Sequence, residues 1–168
     1  MGSKIDSKGT GEDVMGEKTM PVTGGCLCGA IRYESSEPPE FVIYCHCRMC
    51  QQALGGLFSL SASFHGEAFR YTQGEPTYYQ SSAWAKRGFC ANCGSPVDFW
   101  NERDNRPFVL IGTLDHPEDW PPDYGHSGIE SKVPWHVIAD DLPQKRTDEG
   151  EFFKAAKASV RDEADRGD

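Results

Sequence analysis

No apolar run in the 168-residue chain approaches the ~18 residues of a membrane span, and the first twenty residues contain none long enough for the apolar core of a secretory signal. Basic charge is also short. Seventeen Lys and Arg against 26 Asp and Glu leave a formal charge of -9, which repels nucleic acid and anionic lipid, because phosphate is read with cationic side chains. No internal repeat is evident. Together these absences point to a cytoplasmic protein with neither a membrane nor a nucleic acid as partner, and its length suits one domain with a single core.

Cysteine, by contrast, is abundant and ordered. Seven thiols fall in three groups: Cys26-Leu27-Cys28, then Cys45-His46-Cys47-Arg48-Met49-Cys50, then Cys90-Ala91-Asn92-Cys93. In a reducing compartment an odd number of clustered thiols points to metal rather than disulfides. Zinc takes four protein ligands where it is structural and three where a position stays open for chemistry. Seven thiols match one site of each kind. Cys45, Cys47 and Cys50 come from one short loop, and the outer pairs would close a tetrahedral site if the fold brings Cys26 and Cys28 beside Cys90 and Cys93. Alternatives are buried core thiols, an iron–sulfur cluster, and a redox pair at Cys90 and Cys93, although the βαβ setting of that motif is missing.

The rest of the chain reads as a loop-rich β domain. Residues 1–20 are polar and without periodicity, and are expected to be a disordered leader. Strands are expected over 30–34, 41–44, 57–62, 68–71, 77–80, 97–100, 108–111 and 133–138, from their β-branched and aromatic content and bounding Gly and Pro. Residues 49–53 are expected to form one helical turn, stopped by Gly55-Gly56. A stretch from His116 to Gly125 reads as an irregular loop. From residue 147 to 168 an amphipathic helix is expected, opened by a capping box of Asp148 with Glu151. Trp135, Trp100, Phe58 and Phe99 read as core, while Arg48, Gln51 and Gln52 read as solvated.

The order Gly25-Cys26-x-Cys28-Gly29, Cys45-His46-Cys47-x-x-Cys50, Phe89-Cys90-x-x-Cys93-Gly94-Ser95, and a closing Trp135 with Asp140-x-Leu142-Pro143 resembles the glutathione-dependent formaldehyde-activating enzyme family. That family shares its domain with centromere protein V. The resemblance spans about residues 21–146. It implies a mainly β, compact Mss4-like zinc-binding fold with a C-terminal helix appended. It implies two zinc ions, one structural at Cys26, Cys28, Cys90 and Cys93 and one catalytic at Cys45, Cys47 and Cys50. It also implies a carbon–sulfur lyase, or thiol–aldehyde adduct synthase, that adds a thiol such as glutathione to an aldehyde such as formaldehyde. Gln51-Gln52 stand where members often carry Arg-Lys, removing positive charge where an anionic thiol would dock. A proton shuttle would serve this chemistry, and His46, His126 and His136 are the candidates. His65 and His116 read as loop residues. The rival reading is a non-catalytic zinc-stabilised binding module.

Overall fold

Residues 20–150 are described in the computed structural model. The leader expected over 1–19 lies outside the described residues, as does all but the start of the helix expected over 147–168. Proline and glycine cut the described chain into short strands: β1 (Val22–Gly25), β2 (Arg32–Ser35), β3 (Phe41–Cys45), β4 (Ser59–Ser63), β5 (Phe69–Gln73), β6 (Thr77–Ser82), β7 (Ala85–Phe89), β8 (Pro96–Asn101), β9 (Arg106–Leu110), β10 (Gly125–Ser127) and β11 (Gln144–Lys145). A helix, α1 (Arg48–Leu54), follows β3 and ends where Gly55 turns left-handed at φ 65°. The mainly β architecture is therefore as expected. No helix among the described residues is long and apolar enough to cross a membrane.

Two sheets form. β1, β2 and β5 make one of three strands, and the other runs β11-β10-β3-β4-β9-β8-β7-β6. Within these, β10 pairs in parallel with both β3 and β11, and the other strand pairs are antiparallel. The core between the sheets is built from Tyr33, Val42, Ala62, Phe64, Phe69, Val97, Val109, Leu114 and Trp120. Burial of a side chain such as Phe64 contributes about 2–3 kcal/mol. One polar knot joins the layers: buried Asp98 on β8 accepts hydrogen bonds from the hydroxyls of Tyr71 and Tyr78 and from the N–H of Gly88. Burial raises the Asp98 pKa, and these three donors oppose the rise. Tyr71 comes from the three-stranded sheet, so the knot fixes how the two sheets pack.

The strand expected over 133–138 does not form. Trp135 and Val137 in that stretch are largely exposed, which also corrects the reading of Trp135 as core. Pro134 removes an N–H the ladder would need, and the place beside β3 is taken by β10, whose three residues lie in or just after the segment read as a loop. The start of the expected C-terminal helix differs too. Thr147–Glu149 is a single 3-10 turn in which Glu149 accepts the capping bond from Arg146 N–H at 2.9 Å, and Gly150 is extended, while Glu151 of the expected capping box lies outside the described residues.

Candidate metal centres

The first centre is assembled by two tight turns from distant parts of the chain. After β1, Gly29 N–H bonds to Cys26 O at 3.0 Å, and after β7, Gly94 N–H bonds to Cys90 O at 2.8 Å. Both glycines sit at φ +75°, a conformation that penalises a Cβ. The turns fold each cysteine pair back on itself, and the four sulfurs of Cys26, Cys28, Cys90 and Cys93 lie within 4.8 Å of one another. Cys26 and Cys28 sulfurs are 3.6 Å apart, and those of Cys28 and Cys90 are 3.8 Å apart. A tetrahedral ion with ~2.3 Å metal–sulfur bonds requires an edge of roughly 3.8 Å. The donor set and its spacing fit such an ion. Ser95 stabilises the site by donating to Cys93, whose thiol falls to about 6.

The second centre is one loop. Cys45 ends β3, Cys47 caps α1 and Cys50 lies in its first turn, with the Cys50 N–H 3.4 Å from Cys47 Sγ. Again the three sulfurs lie within 4.8 Å of one another. Crowding divides their protons unequally. Cys47 is pulled down to about 2 because the Cys45 and Cys50 thiols donate to it, helped by the Cys50 N–H and the Arg87 charge, while Cys45 is pushed well up. The three sulfurs thus favour thiolate at Cys47, which is the chemistry a soft cation completes.

The loop is pinned from three sides. His46 N–H bonds to Ser127 O on β10 at 2.8 Å. Gln51 is buried rather than solvated: its Nε2 donates to His46 O at 2.7 Å and Ser131 O at 2.9 Å, and its Oε1 accepts from Arg48 at 2.6 Å. Gln51 is therefore a clamp on the cysteine loop. Gly128 presses on the loop at φ +69°, and a Cβ there would stand 2.8 Å from Cys47 N. Gly128→Ala is expected to cost about 1–3 kcal/mol of stability and to lower metal occupancy at the three-cysteine centre; thermal melts with metal analysis of the purified variant check both.

The three candidate histidines converge behind this loop. His46, fully buried, places Nε2 2.9 Å from His126 Nδ1, and His126 Nε2 lies 3.1 Å from Asp140 Oδ1. Asp140 also accepts from Leu142 N–H and is held below the usual carboxylate range by that bond and by His126. An ionised Asp140 assigns the proton of His126 to Nε2, so His126 Nδ1 accepts from His46 Nε2–H. His46 Nδ1 is then a bare acceptor, buried and with no partner among the described residues. Burial, with His126, His136 and Lys132 nearby, lowers His46 to about 4 and keeps it neutral. Tyr44 stacks on His126 at 4.5 Å, and the His136 ring lies 5.9 Å from His46. His65 and His116 sit on the surface near Glu40 and Glu118.

A pocket of about 910 Å³ opens over the three sulfurs. Phe41, Tyr79, Trp84, Phe99, Phe108 and Tyr124 form much of its wall, and His126 contributes as well, whereas His46 and His136 lie behind it. Arg87 on β7 reaches the same space, its Nη2 3.7 Å from Cys50 Sγ and its guanidinium 4.9 Å from the Phe99 ring. Arg87 belongs to no motif in the sequence. Its only signal was proximity to Cys90, and the register that sets it against Phe99 is a property of the folded sheet.

Comparison with known proteins agrees with this geometry. The sequence model of the family described as "Glutathione-dependent formaldehyde-activating enzyme" matches residues 21–128, a span that holds all seven cysteines. The chain belongs to this family. Among its relatives is a Halomonas elongata protein named "Putative glutathione-dependent formaldehyde-activating enzyme", 28% identical over 130 residues, covering 71% of this chain and 82% of that protein. An uncharacterized lyase of Schizosaccharomyces pombe is 29% identical over 99 residues, covering 54% of this chain and 66% of the lyase. A crystal structure of a Rhodobacter sphaeroides protein shares the fold, with TM-score 0.50 and 24% identity over 62% of this chain and 98% of that one.

Proposed function

We propose that this member of the formaldehyde-activating enzyme family is a zinc-dependent carbon–sulfur lyase or thiol–aldehyde adduct synthase, working at Cys45, Cys47 and Cys50. One observation carries the reading: the three-sulfur centre opens onto a large pocket, and the four-sulfur centre already has a full set of ligands. Cys26, Cys28, Cys90 and Cys93 would hold the structural zinc. At the open centre zinc supplies a soft, weakly Lewis-acidic site that favours the thiolate form of an incoming thiol. The reaction joins that sulfur to the aldehyde carbon; the carbonyl electron pair moves to oxygen, and the proton lost by the thiol ends there. The lyase direction reverses each step.

The protein's own groups position the reactants and move the proton. Cys45, Cys47 and Cys50 stand on a loop fixed by Gln51, Ser127 and Gly128, so little reorganisation accompanies binding. Of the three histidines His126 is the one in the pocket wall, so it exchanges the proton there: buried His46 donates Nε2–H to His126 Nδ1 from behind, and His126 Nε2–H hands on to Asp140, whose side chain is 41% exposed. His136 packs against His46 and holds its ring. Seven free cysteines suit a reducing compartment, and the cytoplasm is the location we propose.

The test is a titration of cobalt-substituted protein with glutathione, followed by absorption. Thiolate-to-cobalt charge transfer is expected to rise and saturate as the exogenous sulfur enters the open position. A spectrum indifferent to glutathione would overturn the thiol-dependent enzyme in favour of a zinc-stabilised binding module.

A further inference from the structure

The charge around the three-cysteine pocket runs against the charge of the protein. The chain carries a formal -9, yet among the described residues the only carboxylate in the pocket wall is Asp98, whose oxygens already face Tyr71, Tyr78 and Gly88. Among the described residues the two cations in the wall are Arg87 and Lys145. Neither has a carboxylate partner among the described residues. Arg87 Nε is in addition buried with no acceptor there, its guanidinium meeting Cys50 Sγ and the face of Phe99. Lys145 Nζ stands 5.7 Å from the Tyr124 ring.

Their places in the fold are far apart. Lys145 is on β11, at one end of the eight-stranded sheet, and Arg87 is on β7, next to the last strand at the other end. Both ends border one pocket, so the sheet curls around it and brings two cations from distant strands to the same space, Arg87 beside Cys50 and Lys145 beside Tyr124. A guanidinium with free donors inside a wall rich in aromatic carbon favours an anion, and planar carboxylate matches it best.

We propose that Arg87 and Lys145 form a two-point anchor for a thiol that carries two separated carboxylates, each cation taking one while the sulfur is held at the cysteine centre. The proposal rests on the thiol-binding reading above. It also replaces the inference drawn from Gln51-Gln52: the missing charge beside Cys50 is supplied from β7 instead.

The experiment measures, on the full cobalt-substituted chain, dissociation constants of glutathione and of glutathione with both carboxylates converted to amides. A charge-assisted contact is worth roughly tenfold or more in affinity. Wild type is then expected to prefer the diacid by roughly 100-fold, Arg87→Gln and Lys145→Gln each to retain roughly tenfold, and the double variant none. Equal binding of diacid and diamide by the wild type would overturn the anchor. So would variants that weaken both ligands alike, since that pattern places Arg87 in service of Cys50 alone. A cobalt spectrum that ignores both ligands would instead overturn the thiol-binding reading itself.

Discussion

Cys90→Ser is expected to unfold the domain. Cys90 is 1% exposed, at the turn between β7 and β8, and its sulfur meets that of Cys28 from the turn after β1. The four-sulfur centre therefore fastens the three-stranded sheet to the end of the eight-stranded one. Where a preformed site is absent from the unfolded chain, metal affinity is folding free energy, on the order of 10 kcal/mol for structural zinc. A small domain has a net stability of only about 5–15 kcal/mol. A serine oxygen is a poor replacement for a thiolate on a soft ion. The variant should lose its native circular dichroism and its cooperative melt, and half of its bound metal or more. A native spectrum with an unchanged melting temperature would refute the structural assignment of this centre.

What could be read from the sequence was whatever depends on local spacing. Each cysteine group is a short-range pattern, and the glycines that follow, Gly29 and Gly94, report the same turn chemistry in both halves of the closed centre. Gly55 marked the end of α1 for the same reason. Strands with an apolar face were legible because alternation is local. β10 was not, since Gly125-His126-Ser127 carries no alternation and is held by the backbones of β3 and β11 on either side. Gln51 looked solvated because glutamine on a short helix usually is; its burial depends on two carbonyls, one of them 80 residues away on Ser131. Arg87 and the His46–His126–Asp140 chain share this dependence on long-range register. The cysteine clusters and the three candidate histidines were therefore visible, while the links that tie them together, and the placement of Gln51 and Arg87 beside them, were not.

Cys47→Ser separates that second centre from the fold. Serine is among the preferred N-cap residues, so its hydroxyl can take over the Cys50 N–H bond that Cys47 Sγ now accepts. The loop keeps its other restraints: Gln51 on the His46 carbonyl, Ser127 on the His46 N–H, and the close fit of Gly128. Folding stability should change by no more than about 1 kcal/mol beyond any contribution of the lost metal, and the domain should still melt cooperatively, unlike Cys90→Ser. Function should behave oppositely. Cys47 is one of only three sulfurs gathered at the open centre, so its loss leaves two donors, too few to hold a soft ion firmly. Thiol–aldehyde turnover should fall by more than the roughly 10- to 100-fold that follows loss of an outer partner of a metal site, and the cobalt response to glutathione should vanish with it. Circular dichroism, metal content and turnover measured on one preparation decide the point. A folded Cys47→Ser protein with full turnover would remove the three-cysteine centre from the reaction, whereas a folded but inactive one that keeps a single metal per chain would divide the two centres into one that holds the sheets together and one that reacts.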